Sequence, residues 1–94
     1  MAETHTSDWK ALFSNWPATV PRRGIVTNKL NEPMPFKGFM IRDDVLLLER
    51  TNPDAMGGRY ILLNFVGIDS VKLIDPVKEA DMAAAGFEGK FAKL

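Results

Sequence analysis

The sequence predicts a mainly β fold, a small five-stranded barrel with an N-terminal helix and a short C-terminal helix. Three observations lead to this prediction. Apolar residues recur at helical spacing near the start of the chain, strand-like runs follow, and turn-forming residues divide those runs at regular intervals. With 94 residues, 46% of them apolar and 26% charged, the chain has the make-up of one globular domain.

A short helix is predicted at the N-terminal side, with Ser7 as its cap and Asp8 at the positive end of its dipole. Four apolar residues follow at spacings of three and four and share one face: Trp9, Leu12, Phe13 and Trp16. Pro17 then ends the helix. Because an isolated helix of this length is unstable in water, its aromatic face must dock on the rest of the domain.

The middle of the chain is predicted to form five strands, separated by turns rich in Asn, Asp, Pro and Gly. The predicted strands are residues 23–30, 34–42, 45–50, 59–66 and 70–74. The connections are a turn at 31–33, a tight turn at 43–44, a long loop at 51–58 and a corner at 67–69. Five short strands with such regular breaks are typical of a small barrel or sandwich.

The fourth strand is apolar on both faces, interrupted only by Asn64. Alternation puts one set of side chains on one face: Ile61, Leu63 and Phe65. The opposite face carries Tyr60, Leu62 and Val66. A strand lining a one-layer barrel should be polar on its outer side, so either the Trp-rich helix or another subunit is expected to cover this one.

The C-terminal segment is predicted to begin a helix with Asp75 as the cap and Pro76 at the first helical position. This helix, over residues 77–85, should stop at Gly86, and residues 87–94 form either a flexible tail or an arm that packs on a neighbour. The predicted organisation is a flexible tail at 1–7, the barrel domain with its N-terminal helix at 8–74, and the C-terminal helix and tail at 75–94.

The composition argues against an enzyme. The chain has no Cys and one His, which excludes the usual zinc sites and nucleophile-and-base sets, and that His5 lies in the predicted tail. Five Asp residues lie at predicted turns or at a helix cap, in no calcium-binding spacing: Asp43, Asp44, Asp54, Asp69 and Asp75. We therefore predict no catalytic residue, no metal and no cofactor.

Charge and hydropathy limit the partners. Twelve basic residues balance twelve acidic ones, so no long-range field attracts nucleic acid or anionic lipid. No apolar run approaches the roughly 20 residues that span a bilayer, and no targeting segment is evident, so we expect a soluble, cytoplasmic protein without a membrane partner. One compact basic cluster near Trp16 is the candidate nucleic-acid site: Arg22, Arg23 and Lys29. The alternative is a solvated strand edge.

Residues 8–74 resemble the Sm-like branch of the SH3-type barrels, in which a helix precedes five strands. The similarity is carried by the stretches KGFMIRDDVLLLER and YILLNFVGIDSVKL, with Gly38 and Asp44 in the first and Ile68 and Val71 in the second. The resemblance implies ring assembly by pairing the fourth strand of one subunit with the fifth of the next, and many members of the family bind RNA at the pore.

The RNA pocket of that family uses an Asn after the Asp of the first motif and an Arg-Gly or Lys-His pair in the second. Here Val45 follows Asp44, and Val66 and Gly67 stand in the second motif. Any contact with RNA is therefore expected to be weak and independent of sequence.

The leading functional hypothesis is a non-enzymatic, homo-oligomeric Sm-like scaffold or binding module that forms a closed assembly with itself. Its predicted interface lies on the last two strands: Tyr60, Leu62, Asn64, Val66, Val71 and Leu73. The alternative is an SH3-like barrel that holds a partner protein or peptide through the Trp-rich helix face, formed by Trp9, Phe13 and Trp16.

Overall fold

The computed structural model describes residues 8–92, which form one five-stranded antiparallel sheet and two short helices. The elements are α1 (Asp8–Ser14), β1 (Gly24–Asn28), β2 (Pro33–Arg42), β3 (Val45–Arg50), β4 (Tyr60–Asn64), β5 (Ile68–Lys72) and α2 (Glu79–Ala84). The mainly β class and the five strands are confirmed. The expectations for residues 1–7, including the Ser7 cap and the tail that carries His5, lie outside the described residues.

The strands are ordered β4-β3-β2-β1-β5, so the first strand pairs with the last. Within residues 8–92 the sheet is open, because β4 pairs only with β3 and β5 only with β1. Closure into a barrel stays a prediction.

The turn between β2 and β3 follows the sequence prediction. Arg42 pairs with Val45 and leaves a two-residue connection, in which Asp43 has a φ of 51°. Asp tolerates this left-handed backbone better than most residues. β3 has the predicted bounds.

The corner between β4 and β5 differs from the prediction. β4 ends at Asn64, a 3₁₀ turn spans Phe65–Gly67, and β5 begins at Ile68, inside the segment predicted as the corner. In a 3₁₀ turn residues three apart point the same way, so Phe65 and Ile68 both enter the core. Burial of these two side chains therefore moves the corner towards the N-terminus.

The start of α2 also differs, while its end is confirmed. Lys78, not Asp75, precedes the helix, and it makes no side-chain capping bond. Asp75 instead pairs with Arg23. At the other end, Gly86 has a φ of 104° and the Phe87 N–H donates to the Met82 carbonyl at 3.0 Å, the arrangement of a Schellman cap.

The core is an aromatic cluster centred on Phe13, which is 1% exposed. Its ring centre lies 4.8 Å from that of Phe39, 5.3 Å from Trp16, 5.9 Å from Phe65 and 6.2 Å from Phe36. α1 ends at Ser14, earlier than predicted, so Trp16 lies in the turn after the helix. Trp9 and Trp16 are half-buried against the core, so the predicted docking of these aromatic side chains is confirmed.

Replacing Phe13 by Ala removes the ring that joins α1 to the sheet. We expect the free energy of unfolding to fall by about 3 to 5 kcal/mol, because a large cavity opens in a closely packed core. Urea denaturation measures the loss. Leu30→Ala is the control, since Leu30 is 79% exposed and should change stability by no more than about 0.5 kcal/mol. Equal stability of the two variants would contradict the central role of Phe13.

Gly24 has no room for a side chain, because a Cβ there would lie 2.5 Å from the backbone oxygen of Lys72 in β5. We expect Gly24→Ala to push β5 off β1 and lower the free energy of unfolding by about 1 to 3 kcal/mol. The control is Gly67→Ala, whose Cβ would meet nothing within 4 Å. Thermal or urea denaturation that ranks the two variants in the opposite order would refute the close approach.

Candidate functional site

The unpaired edge of β4 is the first part of the candidate site. The Arg50 N–H donates to the Arg59 carbonyl at 2.9 Å, and the Phe65 N–H donates to the Asp44 carbonyl at 3.1 Å. Because such bonds alternate along an antiparallel strand, every second residue from Arg59 bonds to β3. The residues between them direct their backbone N–H and C=O groups to the free edge: Tyr60, Leu62 and Asn64. This edge is a template for another strand.

The side chains of these same residues form the outward face of β4, where Tyr60 is 62% and Leu62 68% exposed. Ile61 and Leu63 face inward, are half-buried and pack against the core. The prediction of two apolar faces is confirmed. α1 does not cover the outward face, because the helix packs on the core and on the turn after β4.

An apolar row crosses the outward face of three strands. The register sets Met40 of β2 beside Leu47 of β3, and Leu47 beside Leu62 of β4. Charged residues flank the row, with Lys37 Nζ 4.0 Å from a Glu49 oxygen on one side. Alternation along β4 predicted Leu62 for this face, whereas Met40 and Leu47 were not predicted. Leu47 lies in an uninterrupted apolar run in β3, but that run does not show which residues of other strands lie beside it.

β5 provides the second free edge. Val71 pairs with the fully buried Val26, so its side chain faces inward. Val71 and Leu73 line an apolar cavity of about 190 Å³ together with Trp9 and Trp16. β5 and the residue after it therefore offer apolar side chains on the inner side of the sheet, next to an unpaired edge.

The six predicted interface residues consequently lie in three places. Tyr60, Leu62 and Asn64 share the outward face of β4. Val66 lies in the 3₁₀ turn beyond that strand and is exposed. Val71 and Leu73 line the cavity beside β5.

The three predicted nucleic-acid residues do not form one cluster. Arg22 and Arg23 precede β1 and Lys29 follows it, so the strand separates them by roughly 20 Å at about 3.3 Å per residue. The Arg22 guanidinium lies 3.7 Å from the centre of the Phe39 ring and donates to the Phe39 carbonyl at 3.1 Å. Arg23 binds both Asp75 oxygens, at 2.8 and 2.6 Å. Both guanidinium groups thus have partners within the chain.

Two carboxylates have shifted pKa values, each with a local structural cause. The hydrogen bonds from Arg23, and then its charge, lower the pKa of Asp75. Backbone N–H groups of Gly58 and Met56 lower the pKa of Asp54 in the loop between β3 and β4. In both cases the surrounding groups stabilise the ionised form. Because both carboxylates are therefore ionised near neutral pH, neither is poised to transfer protons there.

The Trp-rich face, formed by α1 and by Trp16 in the turn after it, is mostly turned onto the core. Phe13 is buried, and the Trp16 indole N–H donates to the Val20 carbonyl at 3.0 Å. Trp9 and Trp16 reach the surface only as half-buried side chains. Phe13 is therefore not available to a docked partner.

No protein-family model, curated protein or solved structure matches the chain. No helix within residues 8–92 is both long and apolar enough to cross a membrane. In that same part of the chain, no group of three or more His, Asp or Glu side chains is arranged to hold a metal ion. The two unpaired sheet edges and the apolar surfaces beside them are the candidate functional features of residues 8–92.

The Arg23–Asp75 pair makes stability depend on pH in one direction. The folded pKa of Asp75 lies below its ordinary value of 3.8, so its contribution is complete above about pH 5 and is lost as pH falls through the folded pKa. We expect the melting temperature of Asp75→Asn to fall less than that of the wild type between pH 6 and pH 3, because the variant has no carboxylate at this position to protonate. The size of this fall is the acid sensitivity of each protein. Asp69→Asn, which alters an exposed carboxylate of β5, should behave like the wild type. Identical acid sensitivity of all three proteins would contradict the pairing.

Proposed function

We propose that this chain is a cytoplasmic, non-enzymatic, homo-oligomeric scaffold or binding module of Sm-like architecture. β4 of one copy pairs with β5 of the next. One observation carries the proposal: the strand order leaves these two strands as the opposite edges of a single open sheet. Each chain therefore offers one edge to each of two neighbours.

The geometry of such a contact favours a closed assembly. The two edges differ, so the contact is head-to-tail and either closes into a ring or grows without limit. Closure leaves no unpaired edge, which removes a route to aggregation. Apolar side chains lie on the inner side of both strands, Ile61 and Leu63 on β4 and Val71 on β5, so pairing extends the core from one copy to the next.

Nucleic acid has a minor place in this proposal. The net charge is zero, and the guanidinium groups of Arg22 and Arg23 already have partners within the chain. Lys29 is exposed but lies at the other end of β1. We expect RNA binding by the assembly to be weak, independent of sequence and dependent on salt.

Docking of another protein through the helix face is the second proposal. The apolar cavity between Trp9, Trp16 and Leu73 favours it, although Phe13 takes no part. If the protein docks a partner in this way, the purified chain is a monomer and forms a larger complex only when the partner is added. Edge pairing instead predicts that the purified chain is an oligomer.

A proline at position 64 tests edge pairing through the backbone alone. Asn64 has a φ of −77°, which proline adopts, and its N–H points to the free edge of β4. We expect the wild type to be oligomeric at tens of micromolar by light scattering, and Asn64→Pro to be smaller with its circular dichroism unchanged.

The matched control is Asn64→Ala, which loses the same side chain but keeps the N–H. It should assemble like the wild type. A monomeric wild type at these concentrations would overturn the proposal, and so would Asn64→Pro assembling as tightly as Asn64→Ala.

A further inference from the structure

The segment after β5, residues 75–92, folds back over the chain as an arm that contains α2. Two polar contacts tie it down: Arg23 binds Asp75, and the Thr19 hydroxyl donates to Asp81. No residue of α2 is buried, and Phe87 and Phe91 of the arm are each about half exposed. The arm is therefore attached mainly at the surface.

The contact between this arm and the N-terminal part of the chain is loosely packed. Crevices of about 530, 190 and 300 Å³ lie between the arm and residues of α1 or the turn after it. Close packing is normal in a protein interior, and an element that lacks it opens at low cost in free energy. Local detachment of the arm is consequently easier than unfolding of the sheet.

The arm lies over an apolar surface next to the free edge of β5. Met82 and Phe87 of the arm face Val71 and Leu73 across the 190 Å³ cavity. Trp9 and Leu12 of α1 and Trp16 in the turn after it also line the cavity, and no charged residue takes part. An apolar partner fits this surface, and a phosphate backbone does not.

We infer that this surface receives the inward side chains of β4, Ile61 and Leu63, from a second copy, and that the arm must move aside first. The inference rests on the proposed function. When β4 and β5 pair, side chains on the inner faces of both strands lie on one side of the joined sheet. Ile61 and Leu63 of one copy then lie beside Val71 and Leu73 of the next. The arm of the latter copy now lies next to this space.

The exposure of β4 agrees with this choice of partner. Ile61 and Leu63 pack against the core of their own chain but stay half-buried, because no strand lies beyond β4. Ile61 and Leu63 are apolar, as is the surface beside β5. Each of these two apolar surfaces adjoins one of the two edges that pair. The arm thus acts as a cover that sets the concentration at which copies assemble.

A reversible disulfide tests the cover. Thr19 and Asp81 touch, and the chain has no Cys, so Thr19→Cys combined with Asp81→Cys introduces the two cysteines that fasten the arm. Light scattering of the oxidised and reduced protein should show that oxidation raises the concentration of half-assembly by about tenfold or more. Thr19→Cys alone is the control and should not respond. A non-reducing gel reports whether the bond lies within one chain, and a covalent dimer would overturn a cover formed by the chain's own arm.

A second variant loosens the arm in case the disulfide fails to form or disturbs folding. Met82→Gln with Phe87→Gln weakens the arm's apolar contacts, so assembly should begin at a lower concentration than in the wild type. Equal assembly of loosened, fastened and wild-type proteins would overturn the cover while leaving edge pairing intact. If the wild type stays monomeric at tens of micromolar, the proposed function itself fails, whatever the two variants do.

Discussion

Phe13 is the contact on which the arrangement of the domain depends. Its ring packs against two aromatic side chains of β2, Phe36 and Phe39, and against Phe65 in the turn between β4 and β5. One side chain of a short helix therefore touches both the middle of the sheet and the turn that links its two edge strands. Since α1 is too short to persist alone, helix and turn are ordered together by this burial.

The same core explains why the two edges are well defined. At one side, Phe65 anchors the end of β4 through its buried ring and through its hydrogen bond to Asp44. At the other, the missing Cβ of Gly24 lets β5 approach β1 closely. Each edge strand thus pairs with a strand of its own chain along one side and is unpaired along the other. A scaffold built by strand pairing requires such edges, because a mobile edge would pair without a fixed register.

Local patterns predicted much of the fold and most residues of the candidate site. β3 and the turn at Asp43 depend on alternation and turn chemistry, which neighbouring residues decide. The corner after β4 and the start of α2 depend on distant partners, namely the core around Phe65 and the pairing of Asp75 with Arg23. Tyr60, Leu62 and Asn64 were found from their alternation along β4. Met40 and Leu47 were not, because strand register brings them beside Leu62 and one strand's sequence does not encode it.

The pairing of β1 with β5 also has a consequence for the order of folding. The strands β2, β3 and β4 are consecutive neighbours, so they can zip together through short loops. β5 instead pairs with β1, the strand most distant from it in the sequence. This pairing closes the longest loop in the sheet and follows formation of the other strands. From this strand order we expect the β4 edge to form early and the β5 edge late. During synthesis a nascent chain offers half of the proposed joint, and only a fully folded one offers both.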